Sequence, residues 1–522
     1  MEKDKNSAVK AAGLMMIITL AGKILGLARD QFLAGNYSVG MQANAFLTAS
    51  RIPRIFFDVV FASAISASFI PVFNEYMEKK GKKEAFKLSN NFITLINILT
   101  VILTLLGIIF APVLTNLFAV GFDADTAALC TSLLRILFPA TIFTGLAFSF
   151  VGILQSMDEF NVPAAMSIAS NLVIIIYYLF FNKKFGIYGL TFAFLLGWAM
   201  QALIQIPSLV KRGYIYKPFI DLKDEGIKKI LVLMLPVMVS TWVQPINLAI
   251  NTRFASHLFE GSGVSAVEYA NTVYSIIVGV FVLSIANVIF PRLSRMSIDN
   301  DSESFTNTIS KTFEAMFFII IPMTVGLMCM SSAVIRLLYQ HGGFNEFAVG
   351  ITSRALFFFA AGMIGFGIQN ILSRAFYAQQ NGRLPLISGV ISIGLNLVFC
   401  MLLIKRFDVA GLAISATISQ TASAVILLIP MQKKYRIIDR RLVIEIMKMT
   451  LAAAVMGAAV IFAKQFVGSY AGMGLKGNFI YFIIPAFTGI LVYAVMSFVL
   501  RISEIKLAMA MLLKIVRRGA KE

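Results

Sequence analysis

The sequence predicts an all-α polytopic membrane protein with 14 transmembrane helices. They form two parallel six-helix lobes related by a pseudo-twofold axis along the membrane normal, plus a final helix pair. Three observations carry that prediction. Of 522 residues, 58% are hydrophobic and 14% charged, with a mean hydropathy of +0.83, whereas soluble domains average ~45–50% apolar and ~25% charged residues. Charge-free runs recur along the chain at about the 20 residues needed to cross ~30 Å of hydrocarbon. A set of short motifs in the first half recurs in the second half at one constant offset. A soluble enzyme, a secreted disulfide scaffold and a disordered regulator are excluded, because none has a place for so much apolar surface.

The elements follow in order. Span 1, near 11–34, is interrupted by Lys23, Arg29 and Asp30 and reads as a retained helix rather than a cleaved signal peptide. Gly22 and Gly26 give it a small-xxx-small spacing suited to close packing or bending. Span 2, near 55–75, contains Asp58 and is entered through Arg51 and Arg54. Spans 3 to 12 follow at 88–122, 136–157, 160–182, 185–210, 230–252, 269–291, 315–335, 355–373, 384–404 and 409–432, and spans 13 and 14 at 449–463 and 477–500. Pro236 and Pro245 each weaken the helical ladder of span 7, which makes it a candidate for the element that bends between states, with an ordinary packing kink as the equal alternative.

An even number of spans puts both termini on one side. The loops on that side hold 31 of the 45 Lys and Arg residues and the opposite loops hold nine, so both termini are expected in the cytoplasm. The net charge of +19 is thus read as membrane orientation, and no nucleic acid partner is expected. The expected organisation is an N-lobe at 1–210, a basic cytoplasmic linker at 211–229, a C-lobe at 230–432, spans 13 and 14 within 433–502, and an amphipathic basic tail at 503–522. The linker, the 433–448 loop and the tail are expected to bind anionic membrane lipids.

The repeat appears when Pro163 is laid on Pro385: Lys183-Lys184-Phe185 then falls on Lys405-Arg406-Phe407, and Gly189-Leu190 on Gly411-Leu412. A looser echo joins Pro71 to Pro291 and Arg29 to Arg253. Six spans per copy give both copies the same orientation, an arrangement suited to alternating access between two lobes.

Charge within the bilayer costs ~2.5–3.5 kcal/mol per residue at a helix centre, so each such residue needs a reason. The candidates for substrate binding are Arg29, Asp30, Arg54, Arg253, Lys23, Arg51 and Asp58. Arg135 reads as a headgroup anchor, and for Arg51, Arg54 and Arg354, close to predicted helix ends, snorkelling to headgroups is an equal alternative to a place in the cavity. Arg29 and Asp30 point ~100° apart on a helix, so Asp30 is expected to pair with a cation on another helix and Arg29 to serve the substrate. A lining rich in Arg and Lys favours an anion, phosphate above all, because the guanidinium fork matches its oxygens. A cation-coupled drug exporter would instead depend on Asp58 or Asp30. Cys130, Cys329 and Cys400 lie in apolar runs without a pairing motif, and there are two histidines, so no metal or cofactor is expected. The sequence has no phosphate-binding GxxxxGK[ST] loop, so transport is expected to be secondary or driven by voltage.

The segments Gly26-Leu27-Ala28-Arg29-Asp30, Tyr339-Gln340-His341-Gly342-Gly343-Phe344, Arg374-Ala375-Phe376-Tyr377-Ala378 with Arg383-Leu384-Pro385, and Asn396 through Gly411-Leu412-Ala413 resemble the MurJ (MviN) lipid II flippases. These are bacterial members of the multidrug, oligosaccharidyl-lipid and polysaccharide exporter superfamily. The resemblance implies a two-lobed bundle in the cytoplasmic membrane, working as a monomer without catalysis. Its cationic cavity carries undecaprenyl-pyrophosphate-linked disaccharide-pentapeptide from the inner to the outer leaflet. Another lipid-linked glycan is the nearest alternative substrate. Arg29 and Asp30 match the family's Arg-Asp pair, whereas Phe57-Asp58 and Ala270-Asn271-Thr272 stand where the family often has Arg and Ala-Asp-Arg. Arg54 and Arg253 are expected to supply the missing cations.

Overall fold

The structure, a computed structural model, describes residues 2–299 and 301–505. Side chains at 2–13, 16, 56–64, 66, 67, 235, 236, 239, 240, 244, 287 and 291 lie outside the described set, as does the tail from 506 on. Among the described residues every regular element is a helix, and the chain forms two compact units, Met1–Ser265 and Ala266–Glu522.

The first unit holds α1 (Glu2–Tyr37), α2 (Met41–Ala64), a π-turn (Ile65–Phe69), α3 (Ile70–Lys79), α4 (Lys82–Ile109), α5 (Ala111–Phe118), α6 (Ala124–Leu137), α7 (Ala140–Ser156), α8 (Asn161–Phe180), α9 (Asn182–Leu203), α10 (Ile206–Lys211), α11 (Glu225–Thr241) and α12 (Val243–Ala255). The second holds most of α13 (Gly263–Ile298), then α14 (Ser302–Tyr339), α15 (Glu346–Ala361), α16 (Met363–Ala378), α17 (Arg383–Tyr435), α18 (Arg440–Phe466) and α19 (Gly474–Val499). Nine helical stretches among the described residues are long and apolar enough to cross a membrane, and α15 with α16, bent by 44°, makes a tenth. The chain is a multi-pass membrane protein.

One of those stretches, α17, is 53 residues long, about 80 Å if straight, and therefore cannot be one span. It breaks at Asp408 (φ 51°, ψ −131°). A Cβ on Gly411 would stand 2.7 Å from the Leu403 carbonyl oxygen, although residues eight apart in a straight helix lie about 12 Å apart. The chain doubles back there. The matching break in the first unit is at Gly186 (φ 55°, ψ −146°), separated from Asp408 by the same offset that separates Pro163 from Pro385. Gly189 is the counterpart of Gly411, and a Cβ on it would meet the Tyr177 hydroxyl at 2.3 Å. The repeated glycine is thus set by a tight helix reversal.

Several boundaries differ from the sequence expectation. Span 2 begins at Met41 rather than near 55, which draws Arg51 and Arg54 out of the predicted loop and into α2. Asn44, Thr48 and Arg51 are buried against other helices, so the polar residues that masked this stretch face protein rather than lipid. The run 88–122 splits at Phe110, with Pro112 in the first turn of α5, where a missing N–H costs no helical bond. Span 7 breaks at Trp242, and Pro245 one turn on removes the donor that the Thr241 carbonyl would otherwise use.

The segment after α10 is strapped onto α4. Asn91 exchanges two hydrogen bonds with the backbone of Asp221 (2.7 and 2.9 Å). Asn90 accepts from the Tyr214 hydroxyl at 2.8 Å, and Thr94 pairs with the Tyr216 hydroxyl at 2.9 Å. Beneath the strap, Phe69, Phe73, Phe92, Ile153 and Ile230 form the centre of the first unit's core. Between membrane helices such packing rests on van der Waals contact and small residues. A Cβ on Gly152, for example, would stand 2.8 Å from the Phe69 ring.

Candidate functional site: a cationic cavity in the first unit

A cavity of about 740 Å³ opens among α1, α2, α7, α8 and α9, within the ~300–1,000 Å³ range of ligand sites. Three of its lining residues are cations, Lys23, Arg29 and Arg54, and no carboxylate lines it among the described residues. Neutral polar groups, including Gln155, Ser167, Asn171 and Gln201, and the rings of Phe194 and Trp198 complete much of the wall.

Helix α1 packs along α8 because Gly22 and Gly26 let it approach. A Cβ on Gly22 would stand 3.1 Å from Ser167, and one on Gly26 would stand 3.5 Å from the Asn171 amide. These glycines therefore serve packing. Asn171, 4% exposed, locks the junction: its Nδ2 donates to the Gly22 carbonyl at 3.1 Å and to Ser167 Oγ at 3.4 Å. That fixes its Oδ1 toward Arg29, whose Nη1 donates to it at 3.2 Å.

Among the described residues Asp30 pairs with Arg29 on its own helix, not with a cation on another helix as the sequence reading expected. Its Oδ1 accepts from Nε and Nη2 of Arg29 at 2.9 and 2.7 Å. The ~100° between successive residues fixes where Cβ points, not where a long flexible side chain ends, and the guanidinium curls back around α1. It also stacks over Phe194, 5.3 Å from the ring centroid. Of the five N–H donors of Arg29, three are committed among the described residues and two remain for a ligand.

The other predicted residues separate. Lys23 and Arg54 are exposed to the cavity. Arg51 does not line it; the side chain is buried and its Nη1 donates to Thr252 Oγ1 at 2.6 Å. Arg253 also lies elsewhere, its Nη1 donating to the Leu117 carbonyl at the end of α5 at 2.6 Å. A helix C-terminus offers such a carbonyl together with the negative end of the dipole. Asp58 lies outside the described side chains. Arg135 and Arg354 are exposed. Sequence reasoning missed Asn171, Gln155, Trp198 and Gln201, whose available signal was a polar or amphipathic side chain inside a charge-free run.

Repeated membrane helices, with a cationic cavity inside the first unit, define the class, a polytopic transporter. The fold is that of the multidrug, oligosaccharidyl-lipid and polysaccharide exporters: the inward-facing structure of a multidrug resistance MATE family transporter of that superfamily aligns with a TM-score of 0.68 at 16% identity, over 82% of this chain and 98% of the other. The family model for the lipid II flippase MurJ matches residues 36–483, and the chain belongs to that family. A probable lipid II flippase MurJ from Haemophilus influenzae is 30% identical over 476 residues, 87% of this chain and 92% of that one. Its Vibrio cholerae counterpart is 28% identical over 481 residues, 90% and 91% of the two chains. The solved structure of a lipid II flippase MurJ in an inward closed conformation aligns with a TM-score of 0.78 at 27% identity, covering 93% of this chain and 98% of the other.

Proposed function

We propose that this chain flips lipid II, the undecaprenyl-pyrophosphate-linked disaccharide-pentapeptide, from the inner to the outer leaflet of the bacterial cytoplasmic membrane. The observation that carries the reading beyond family membership is the cavity wall, with three cations and no carboxylate among its described residues. At membrane depth such a wall favours a multiply charged anion, because effective dielectric is low and the charges have little water to satisfy them. The two uncommitted donors of Arg29 suit a bidentate grip on one phosphate, and Lys23 and Arg54 add charge for the second. Asp30 holds the fork in place and tempers its charge, so release of the substrate remains feasible.

The cycle is alternating access between an N-lobe (1–210) and a C-lobe (230–432), with both termini cytoplasmic and the chain acting as a monomer without chemical catalysis. An inside-negative potential supplies the drive. Each negative charge moved outward gains ~2.3 kcal/mol per 100 mV, so about two charges crossing the full field gain ~4–5 kcal/mol. The emptied cationic cavity is then pulled back by the same field. Anionic lipids hold the basic linker and the 433–448 loop.

The test is leaflet accessibility of lipid II in cells depleted of their flippase and supplied with this chain. Restored outer-leaflet lipid II that is lost with Arg29→Ala supports the reading; no restoration by the wild-type chain, or full restoration by Arg29→Ala, overturns it. Collapse of the potential at constant pH gradient and sodium should slow flipping. An unchanged rate would overturn the voltage drive.

A further inference from the structure

The cavity has more chemistry than a pyrophosphate uses. Phe194, Trp198 and Gln201 occupy positions i, i+4 and i+7 of α9 and face the same space. Trp198 and Gln201 lie about 6 and 10 Å along the helix from Phe194, whose ring carries the Arg29 guanidinium. Gln155, in the last turn of α7, approaches the same space from another wall. Among the described residues, the side-chain amides of Gln155 and Gln201 and the indole N–H of Trp198 make no hydrogen bond to protein.

Gln155, Trp198 and Gln201 are half-buried and line the open cavity, so their polar atoms are available to a ligand that enters it. Two amides offer four N–H donors and two carbonyl acceptors, far more than an anion can use, since phosphate oxygens only accept. A ligand that both donates and accepts through many hydroxyls and amides matches them. The indole adds a flat apolar face with a polar edge, which suits the C–H face of a pyranose ring. None of the three side chains carries charge, so they discriminate by hydrogen bonding and shape. Sites built to hydrogen-bond a substrate reject analogues lacking the matching groups, because their polar groups are then left unpaired.

We propose that Trp198, Gln201 and Gln155 form a saccharide subsite that binds the sugar joined to the pyrophosphate, in the same cavity as the Arg29 anchor. The inference rests on the flippase reading and adds a specificity element to it: the cations accept any polyprenyl pyrophosphate, and this subsite selects the glycosylated one. The bare carrier left after sugar transfer would then be held more weakly than the loaded precursor.

The experiment compares purified full-length chain binding two probes in lipid nanodiscs, lipid II and undecaprenyl pyrophosphate. Wild type should prefer lipid II by about tenfold. Trp198→Ala and Gln201→Leu should remove most of that preference while leaving undecaprenyl pyrophosphate affinity within twofold, whereas Arg29→Ala should weaken both probes. Because the chain has two tryptophans, Trp242→Phe leaves Trp198 as the sole indole reporter. Lipid II should change its emission, and undecaprenyl pyrophosphate should change it much less. That spectroscopic readout does not depend on how well the Ala and Leu variants fold. Equal wild-type affinity for the two probes, equal loss for both in the Trp198 and Gln201 variants, or equal emission changes would overturn the subsite alone. Failure of wild type to bind either probe would overturn the flippase reading itself.

Discussion

Asn171→Ala removes the side chain that clamps Arg29 from the α8 side without touching the cations. Two kinds of contact are lost. The bond from Arg29 Nη1 is charge-assisted but long at 3.2 Å, which puts it near the low end of the ~1.5–3 kcal/mol range for hydrogen bonds to charged groups. The bond to the Gly22 carbonyl at 3.1 Å is a neutral one of about 1 kcal/mol. Asp30 still holds Nε and Nη2, so the guanidinium stays in the cavity but is free to turn about its remaining anchor. If most of the low-end value is lost from substrate positioning, flipping efficiency falls about tenfold, since ~1.4 kcal/mol corresponds to one decade. That is the expected result in a proteoliposome assay of lipid II translocation. Asn171→Asp should do worse than Ala, because a second carboxylate against Arg29 would cancel the charge offered to the substrate. The decisive comparison uses Arg29→Lys, which keeps a cation but has no fork. If Asn171 acts through Arg29, adding Asn171→Ala to that variant should cause little further loss. A full tenfold loss in both backgrounds would refute the positioning argument and reduce Asn171 to a helix-packing residue.

Three further outcomes are expected. Asp408→Gly should raise the melting temperature, since a non-glycine residue at φ 51°, ψ −131° carries strain of order 1 kcal/mol, while Gly186→Ala should lower it by creating the same strain at the matching break. Thr252→Val should destabilise the first unit by about 1.5–3 kcal/mol, measured by chemical denaturation in detergent, because it removes an acceptor of the buried Arg51 guanidinium. Asp123 caps α6 by accepting from Asp125 and Thr126, and the Thr126 hydroxyl and N–H hold its carboxyl below the usual range. A lowered folded-state value means that the cap's contribution is complete above about pH 4 and is lost as pH falls through the lowered value. Asp123→Ala should therefore reduce the melting temperature at pH 7, and the difference from wild type should close in strong acid.

The membrane class and many of the spans follow from the sequence alone, because an uncharged run of about 20 residues has few other places to go and its length matches the bilayer. The paired helix reversals were also legible. Gly186 and Asp408 break their helices at the spacing that Pro163 and Pro385 share, since each copy of the repeat must turn at the same point. Arg29 could be singled out because a guanidinium in an apolar run requires a partner or a ligand.

What tertiary structure alone decided is where each polar side chain ends. Arg51 and Arg54 are three residues apart on α2 and share nearly the same helix face, yet one is buried against Thr252 on α12 and the other lines the cavity. The difference is made by a helix far away in sequence, which no local pattern reports. Asp30 turned to its own neighbour because side-chain reach, not helical phase, governs where a guanidinium can go. Asn171 carries no charge, so the transfer cost that exposes a cation within an apolar run gives it only a weak signal. Its role exists only because Gly22 brings α1 close enough for one amide to hold both a backbone carbonyl and Arg29.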